Sequence, residues 1–138
     1  MKKLKEFYTF KDYDDEGFLY ETSKPNDYTD LFKILDESIV LVLTEECGHY
    51  QGDYYCLFLN KDTDEYGYLC FGYGSCSGCD AFQACNGESD YQELAERLAS
   101  EIIWKNKQEM YGFLHDRDWE GQYNNPVQFV IKALDILR

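Results

Sequence analysis

Basic side chains are scarce in this sequence. There are 13 lysines and arginines against 27 aspartates and glutamates, which gives a formal net charge of −14 at pH 7. The only basic cluster is the small one formed by Lys2, Lys3 and Lys5. A surface this negative repels nucleic acid phosphates and anionic membranes, so we expect direct binding to neither. The charge either favours a basic protein partner, reached by electrostatic steering, or serves solubility alone.

Long apolar runs and a secretory signal are also missing. No stretch approaches the roughly 18 apolar residues that a membrane-spanning helix needs. The basic start of the chain is followed by Asp12, Asp14, Asp15 and Glu16 without an apolar segment before them. These absences predict a cytoplasmic protein. Thiols stay reduced in that compartment, so the six cysteines are expected to be metal ligands or free thiols.

The sequence contains no internal repeat, low-complexity tract or linker. Its 138 residues and 44 % hydrophobic content predict one globular domain over residues 1–138. The hydrophobic pattern predicts an α+β fold, with a three- or four-stranded, mostly antiparallel sheet packed by helices and with a zinc-pinned Cys-rich loop. Strands are expected at residues 53–60 and 66–72, joined as a hairpin, and at residues 39–43, buried on both faces. A short edge strand near residues 8–11 precedes a turn at residues 15–17.

Four helices are expected from their caps and apolar spacing. The first runs from Asn26 or Asp27 to about Glu37, and the second begins at a Ser89 cap and continues through Ile103. A third covers residues 108–114. The last follows an Asn125 cap with Pro126 in its first turn, and its buried stripe is expected to be Val127, Val130, Ile131, Leu134 and Leu137.

The register of the predicted hairpin determines whether two cysteines lie opposite each other. If Asn60 faces Tyr66, then Cys56 lies opposite Cys70 on one face of the sheet. Cys56 is then either a neighbour of a metal site or a small apolar filler. A slip of one residue would remove this pairing.

Four cysteines fall within sixteen residues, at Cys70, Cys76, Cys79 and Cys85. Cys76 and Cys79 form a Cys-x-x-Cys knuckle, a spacing that lets two thiolates reach one tetrahedral Zn²⁺. The other two lie six residues outside it and complete a four-sulfur set. A site of four cysteines is closed and structural, because it leaves no open position for water or substrate. The sequence therefore predicts a structural zinc ion in this loop.

Several alternatives to this zinc site stay open from the sequence. His49, His115 or Cys47 can replace one cysteine ligand, and free buried thiols need no metal at all. A thioredoxin-like redox motif is disfavoured because Cys76 and Cys79 lie about ten residues before the next helix instead of at its start. A small zinc- or thiol-dependent enzyme is the competing functional class. Glu45 and Glu46 oppose it at Cys47, because they raise the pKa of that thiol.

Tyrosines and acids are interleaved in four segments, at residues 13–16, 27–30, 51–55 and 62–66. Tyrosine is a frequent anchor of protein interfaces, and repeated carboxylates can imitate a row of phosphates. The alternative is that about half of these tyrosines belong to the core, with the hydroxyl at the surface.

Two motifs carry a resemblance to known proteins. At residues 73–80 (YGSCSGCD) and 118–123 (DWEGQY), the chain resembles small proteins encoded by phages and mobile elements. In size, acidity and cysteine content it also resembles the zinc-containing anti-CRISPR proteins that act on the RNA-guided DNA nuclease of type II-A systems. The matching segment includes Cys76 and Cys79. Cys70 and Cys85 lie outside it and are counted as zinc ligands because of their spacing alone. The resemblance implies that the protein is an inhibitor and not an enzyme, and that it acts in the host bacterial cytoplasm. It implies that the acidic domain covers a basic surface of the nuclease and blocks nucleic-acid loading.

Overall fold

The computed structural model describes residues 10–22, 25, 27–48, 52–74, 80–119 and 126–138. The chain divides into two compact units. Met1–Glu37 and Cys76–Ser100 form the first, which we call the hairpin unit, and Ser38–Ser75 and Glu101–Arg138 form the second, which we call the sheet unit. Within the described residues there are a four-stranded antiparallel sheet, a two-stranded sheet and four α-helices. The predicted α+β class is confirmed.

The sheet unit is built on strands β3 (Ile39–Gly48), β4 (Gly52–Asn60), β5 (Glu65–Tyr73) and β6 (Ile103–Lys105). They are antiparallel and lie in the order β3-β4-β5-β6. The predicted hairpin is therefore confirmed as β4 and β5. β6 was expected to be the end of a helix, but it pairs with β5. Gly67 of β5 permits this, because a Cβ at that position would lie 2.5 Å from Ile102 and 2.8 Å from the Trp104 ring.

The register of β4 and β5 differs by one residue from the expected one. Asn60 pairs with Glu65 and not with Tyr66, so Cys56 faces Leu69 while Cys70 lies opposite Tyr55. The turn between the strands has four residues in place of five. Asn60 shortens it, because its side-chain oxygen accepts hydrogen bonds from the backbone of residues 62 and 63, and residue 64 closes the turn with a φ of +59°.

Strand β3 is not buried on both faces, as its aliphatic run predicted. It is ten residues long and lies at the edge of the four-stranded sheet, where Val40 is 37 % exposed. Its second half is polar, and Glu45 forms an ion pair with Lys132. A short aliphatic run alone cannot distinguish a central strand from an edge strand.

Two helices cover one face of this sheet. Helix α3 (Lys107–Asp116) begins at Asn106, whose side chain accepts a hydrogen bond from the backbone of Glu109, and it confirms the helix expected at residues 108–114. Helix α4 (Val127–Leu137) follows Pro126, and the expected Asn125 cap lies outside the described residues. The helices and strands enclose one core, which contains Tyr55, Leu57, Tyr68, Met110, Leu114, Trp119, Phe129, Val130, Ala133 and Leu137.

The buried stripe of α4 is only partly the expected one. Val130 and Leu137 are buried as predicted, but Ile131 is 53 % exposed. Phe129 and Ala133 are fully buried instead. Phe129 contacts the rings of Tyr55 and Tyr68, which turns the helix so that its largest apolar side chain faces the core.

The hairpin unit opens with strands β1 (Phe10–Tyr13) and β2 (Leu19–Thr22), which pair as a two-stranded antiparallel sheet. The turn expected at residues 15–17 is confirmed. Asp14 stabilises it, because its carboxylate accepts hydrogen bonds of 2.9 Å from the backbone N–H groups of Glu16 and Phe18. Gly17 has a φ of +88°, a conformation that favours glycine.

The first helix of this unit is shorter than the sequence predicts. α1 covers Tyr28–Leu31 and continues as a 3₁₀ turn over Phe32–Ile34, because the chain becomes extended at Leu35. Asp27 is its cap and accepts a hydrogen bond from the backbone of Asp30. The apolar face expected for this helix is buried, namely Tyr28, Leu31, Phe32 and Leu35.

Helix α2 covers Glu88–Glu101, so the predicted Ser89 cap is wrong. Ser89 lies in the first turn of the helix. The carboxylate of Asp90 instead reaches back and accepts a hydrogen bond of 2.9 Å from the backbone N–H of Asn86. The expected core positions of the helix are confirmed, because Tyr91, Leu94, Ala95 and Leu98 are buried.

Candidate protein-interaction surface

The structure describes two of the four predicted zinc ligands. Cys76 and Cys79 lie outside the described residues. Cys70 is an exposed residue of β5 in the sheet unit. Cys85 is half-buried in the hairpin unit, with its sulfur 3.4 Å from the carbonyl oxygen of Ala81. In the part of the chain that the structure describes, no group of three or more His, Cys, Asp and Glu side chains could hold a metal ion.

The pKa of each described thiol is raised above its usual value. Burial raises the pKa of Cys47, Cys70 and Cys85, and nearby carboxylates raise it further. Burial also raises the pKa of Cys56 to about 12. Thiol catalysis needs a thiolate near neutral pH, so the electrostatics at these four positions oppose it. Cys56 is fully buried, with its sulfur 3.6 Å from the Thr44 hydroxyl, in agreement with a small apolar filler.

Two of the three alternative zinc ligands, His115 and Cys47, are in the described residues. His115 is exposed at the end of α3, where its ring stacks on Tyr111 at 5.7 Å and its Nδ1 lies 3.0 Å from Asp116. Cys47 lies on the edge strand β3, and His49 is outside the described residues. Both described alternatives belong to the sheet unit.

A buried carboxylate fixes the end of the cysteine loop, and sequence reasoning missed it. Asp80 is 6 % exposed, and its Oδ1 accepts hydrogen bonds from the Tyr28 hydroxyl (2.9 Å), the Phe82 backbone (2.8 Å) and the Gln83 backbone (3.2 Å). Phe82 lies between the rings of Tyr28 and Tyr91. A buried charge is tolerated when such donors surround it. The signal for this buried carboxylate in the sequence was the aspartate directly after Cys79.

The acid–tyrosine segments separate into core and surface. Tyr28 and Tyr55 are buried, as the core alternative predicted. Tyr54 is half-buried, stacks on Phe71 at 5.2 Å and donates a hydrogen bond to Glu46. Only the segment at residues 13–16 presents a largely exposed tyrosine, so the interface alternative applies best to that segment.

The β1–β2 hairpin exposes apolar side chains on both of its faces and has an acidic tip. Tyr13, Phe18, Leu19 and Tyr20 are 66 %, 67 %, 54 % and 44 % exposed. Tyr13 and Leu19 are opposite each other in the register. The turn between them exposes three carboxylates, and the surface, which we call the hairpin surface, consists of Tyr13, Asp14, Asp15, Glu16, Phe18, Leu19 and Tyr20.

This arrangement suits the recognition of another protein. Exposed aromatic side chains supply large contact areas, and the carboxylates can pair with lysine or arginine of a partner. The sequence predicted only residues 13–16 of the hairpin surface. Residues 18–20 were missed, because the second strand of the hairpin was not predicted.

Comparisons with known proteins do not assign the chain to a family. No family model matches it, and neither the curated proteins nor the solved structures gave a match. Of the helices in the described residues, none has the length and apolar character that crossing a membrane requires.

Proposed function

We propose that this chain is an acidic binding protein that docks on a basic protein surface through the hairpin surface. Among basic partners we propose the RNA-guided DNA nuclease of a type II-A CRISPR system, with the chain acting as a phage-encoded anti-CRISPR inhibitor. The resemblance to such inhibitors in size, acidity and cysteine content supports this partner. The positively charged nucleic-acid channel of such nucleases complements a net charge of −14.

The observation that carries the proposal is the exposure of four large apolar side chains within eight residues, 13–20, of the hairpin unit. Tyr13, Phe18, Leu19 and Tyr20 lie beside the carboxylates of the turn. Aromatic anchors with an acidic rim are the composition of an interface that binds basic proteins. The carboxylates speed the encounter with the partner, and the aromatic rings slow its dissociation.

Binding to the nuclease is the direct test. The purified chain is mixed with the guide-loaded and guide-free nuclease, and both complex formation and target DNA cleavage are measured. We expect a complex that weakens as salt rises from about 0.1 M to about 1 M, since the Debye length falls from about 10 Å to about 3 Å over that range. The absence of a complex, or binding that does not respond to salt, contradicts the proposal.

We also propose that Cys70, Cys76, Cys79 and Cys85 hold one structural Zn²⁺ that stabilises the loop. Such a site contributes on the order of 10 kcal/mol to folding. Metal analysis with thiol titration should find one zinc and four protected thiols per chain. Cys79→Ser should lose the metal, whereas Cys56→Ala should keep it, because Cys56 is buried beside Thr44.

The same measurement separates this protein from the competing class, a small zinc- or thiol-dependent enzyme. An enzyme would retain a zinc with an exchangeable water, or a thiol with a strongly lowered pKa. The raised pKa of Cys47 and Cys56, which lie outside the proposed four-cysteine site, opposes thiol catalysis at these two positions.

A further inference from the structure

A groove of about 520 Å³ lies beside helix α3 in the sheet unit. Unlike the hairpin surface, it contains two cations, which lie beside two carboxylates and one aromatic ring. It is lined by Lys105, Glu109, Gly112, Phe113, Asp116 and Arg117.

The two cations are held over aromatic rings. Lys105 Nζ lies 5.5 Å from the centre of the Phe113 ring, and Arg117 Cζ lies 5.8 Å from it. Arg117 Cζ is also 5.0 Å from the Trp119 ring. Trp119 is itself fixed, because it is 6 % exposed and its Nε1 donates a hydrogen bond of 2.7 Å to the carbonyl oxygen of Leu114. The guanidinium is therefore oriented before any ligand arrives.

Neither cation forms an ion pair with a residue in the described part of the chain. No described carboxylate forms an ion pair within 4.0 Å of Lys105 or Arg117. The two acids of the groove have other partners, since Glu109 accepts from Asn106 and Asp116 pairs with His115. In a chain with 27 acidic residues, two such cations beside one ring are an unusual juxtaposition.

Gly112 leaves the wall of the groove open. A Cβ at this position would meet nothing closer than the Asp116 carboxylate, at 3.9 Å. The glycine is inside helix α3, where it costs roughly 1 kcal/mol relative to alanine. Replacing it is therefore sterically possible and favours the helix, so the protein retains open space there at a cost to its own stability.

We propose that this groove binds a small carboxylic acid with an apolar body. The carboxylate is held by Arg117 and Lys105, because the guanidinium edge matches a carboxylate with two parallel hydrogen bonds. The apolar body lies against Phe113 and fills the space beside Gly112. Glu109, Asp116 and the net charge of −14 disfavour dianions and polyanions, which sets a single carboxylate apart from phosphate and nucleic acid.

The first test compares benzoate with benzamide at constant ionic strength. The two probes have the same ring and nearly the same shape, and only benzoate carries the charge. Amide NMR titration should show shifts at Gly112, Phe113 and the Trp119 indole, with benzoate binding at least about tenfold more tightly than benzamide, as a charge-assisted hydrogen bond allows. Equal affinity for the two, no shift, or shifts centred elsewhere overturn the proposal. Inorganic phosphate that binds as tightly as benzoate also overturns it.

Two variants test the position of the ligand. Gly112→Leu should abolish benzoate binding by filling the groove, and Arg117→Gln should weaken it roughly tenfold. Arg138→Gln is the matched control, because it removes the same charge from an exposed arginine that pairs with Asp135. Near-ultraviolet circular dichroism must show an intact fold for all three. A folded Gly112→Leu variant that still binds benzoate contradicts the proposal, and so does a loss as large in Arg138→Gln as in Arg117→Gln. The groove is independent of the hairpin surface, so its failure leaves the proposed function untouched.

Discussion

Tyr13 and Tyr20 on strands β1 and β2 are 66 % and 44 % exposed, whereas Tyr55 and Tyr68 on β4 and β5 are 1 % and 5 % exposed. All four are tyrosines on antiparallel strands joined by short acidic turns. The difference lies in what surrounds the strands. β4 and β5 are central strands of a four-stranded sheet covered by α3 and α4, while β1 and β2 form a two-stranded sheet.

Similar residues therefore have different roles in the two units. In the sheet unit the aromatic rings of Tyr55, Tyr68, Trp119 and Phe129 contact one another and stabilise the fold. In the hairpin unit large apolar side chains face the solvent, which contributes little to the stability of the isolated chain. We therefore expect substitutions in the first region to change stability and substitutions in the second to change binding.

Phe129→Ala should have the largest effect on stability. Phe129 is fully buried against Tyr55 and Tyr68, so its truncation is expected to cost about 3–5 kcal/mol. The free energy of unfolding is measured by urea denaturation. The control is Ile131→Ala on the same helix, which should cost far less because Ile131 is 53 % exposed. Equal losses from the two variants would contradict the placement of the α4 core face.

Asp80→Ala should have an intermediate effect, in the hairpin unit. It removes the carboxylate that accepts from the Tyr28 hydroxyl and from the Phe82 and Gln83 backbone N–H groups, and only the Phe82 N–H keeps a second acceptor among these bonds, the Tyr28 oxygen at 3.1 Å. The loss is expected to cost about 2–3 kcal/mol. Tyr28→Phe removes the hydroxyl donor to Asp80 and one of the two acceptors of the Phe82 N–H, but it keeps the carboxylate, so it should cost about 1 kcal/mol. Urea denaturation checks both. An Asp80→Ala variant as stable as the unchanged chain would mean that the buried carboxylate is not an anchor of the loop.

Phe18→Ser should have the smallest effect on stability, within about 0.5 kcal/mol, because the ring is 67 % exposed. The same substitution should weaken binding to the partner by about 1 kcal/mol or more, as the loss of an aromatic interface anchor does. Ile131→Ser is the matched control, since it removes an exposed apolar side chain from another surface. A large loss of stability in Phe18→Ser would mean that the hairpin belongs to the core.

The sequence was sufficient for the elements whose signals are local. The β4–β5 hairpin, α3 and the buried face of α1 follow from alternation, helical spacing and the Asp27 cap. The register of the hairpin did not follow, because it depends on the side chain of Asn60 and on the conformation of Asp64. β6 was missed because Ile103 continues the apolar spacing of α2, and its pairing with β5 depends on tertiary contact at Gly67.

The candidate surface was only partly predictable for a similar reason. The acidic and tyrosine-rich segment at residues 13–16 was recognised, but nothing local distinguished exposed Tyr13 from buried Tyr28 or Tyr55. That distinction depends on which faces are covered, and only the fold supplies it. The cation–aromatic groove joins Lys105 on β6 to Arg117 after α3, a pairing that sequence spacing does not indicate.

The central claim is that the hairpin surface binds the partner, and one paired measurement tests it most directly. Asp15→Asn with Glu16→Gln neutralises two exposed acids in the β1–β2 turn, while Asp62→Asn with Asp64→Asn neutralises two exposed acids in the β4–β5 turn. The two variants have the same net charge and differ only in position. Binding to the guide-free and guide-loaded type II-A nuclease is measured for both at one salt concentration. We predict that the first variant loses at least about 1 kcal/mol of binding free energy relative to the second, as the loss of charge pairs at an interface requires. Equal losses in the two variants would show that net charge alone drives binding and would contradict the claim.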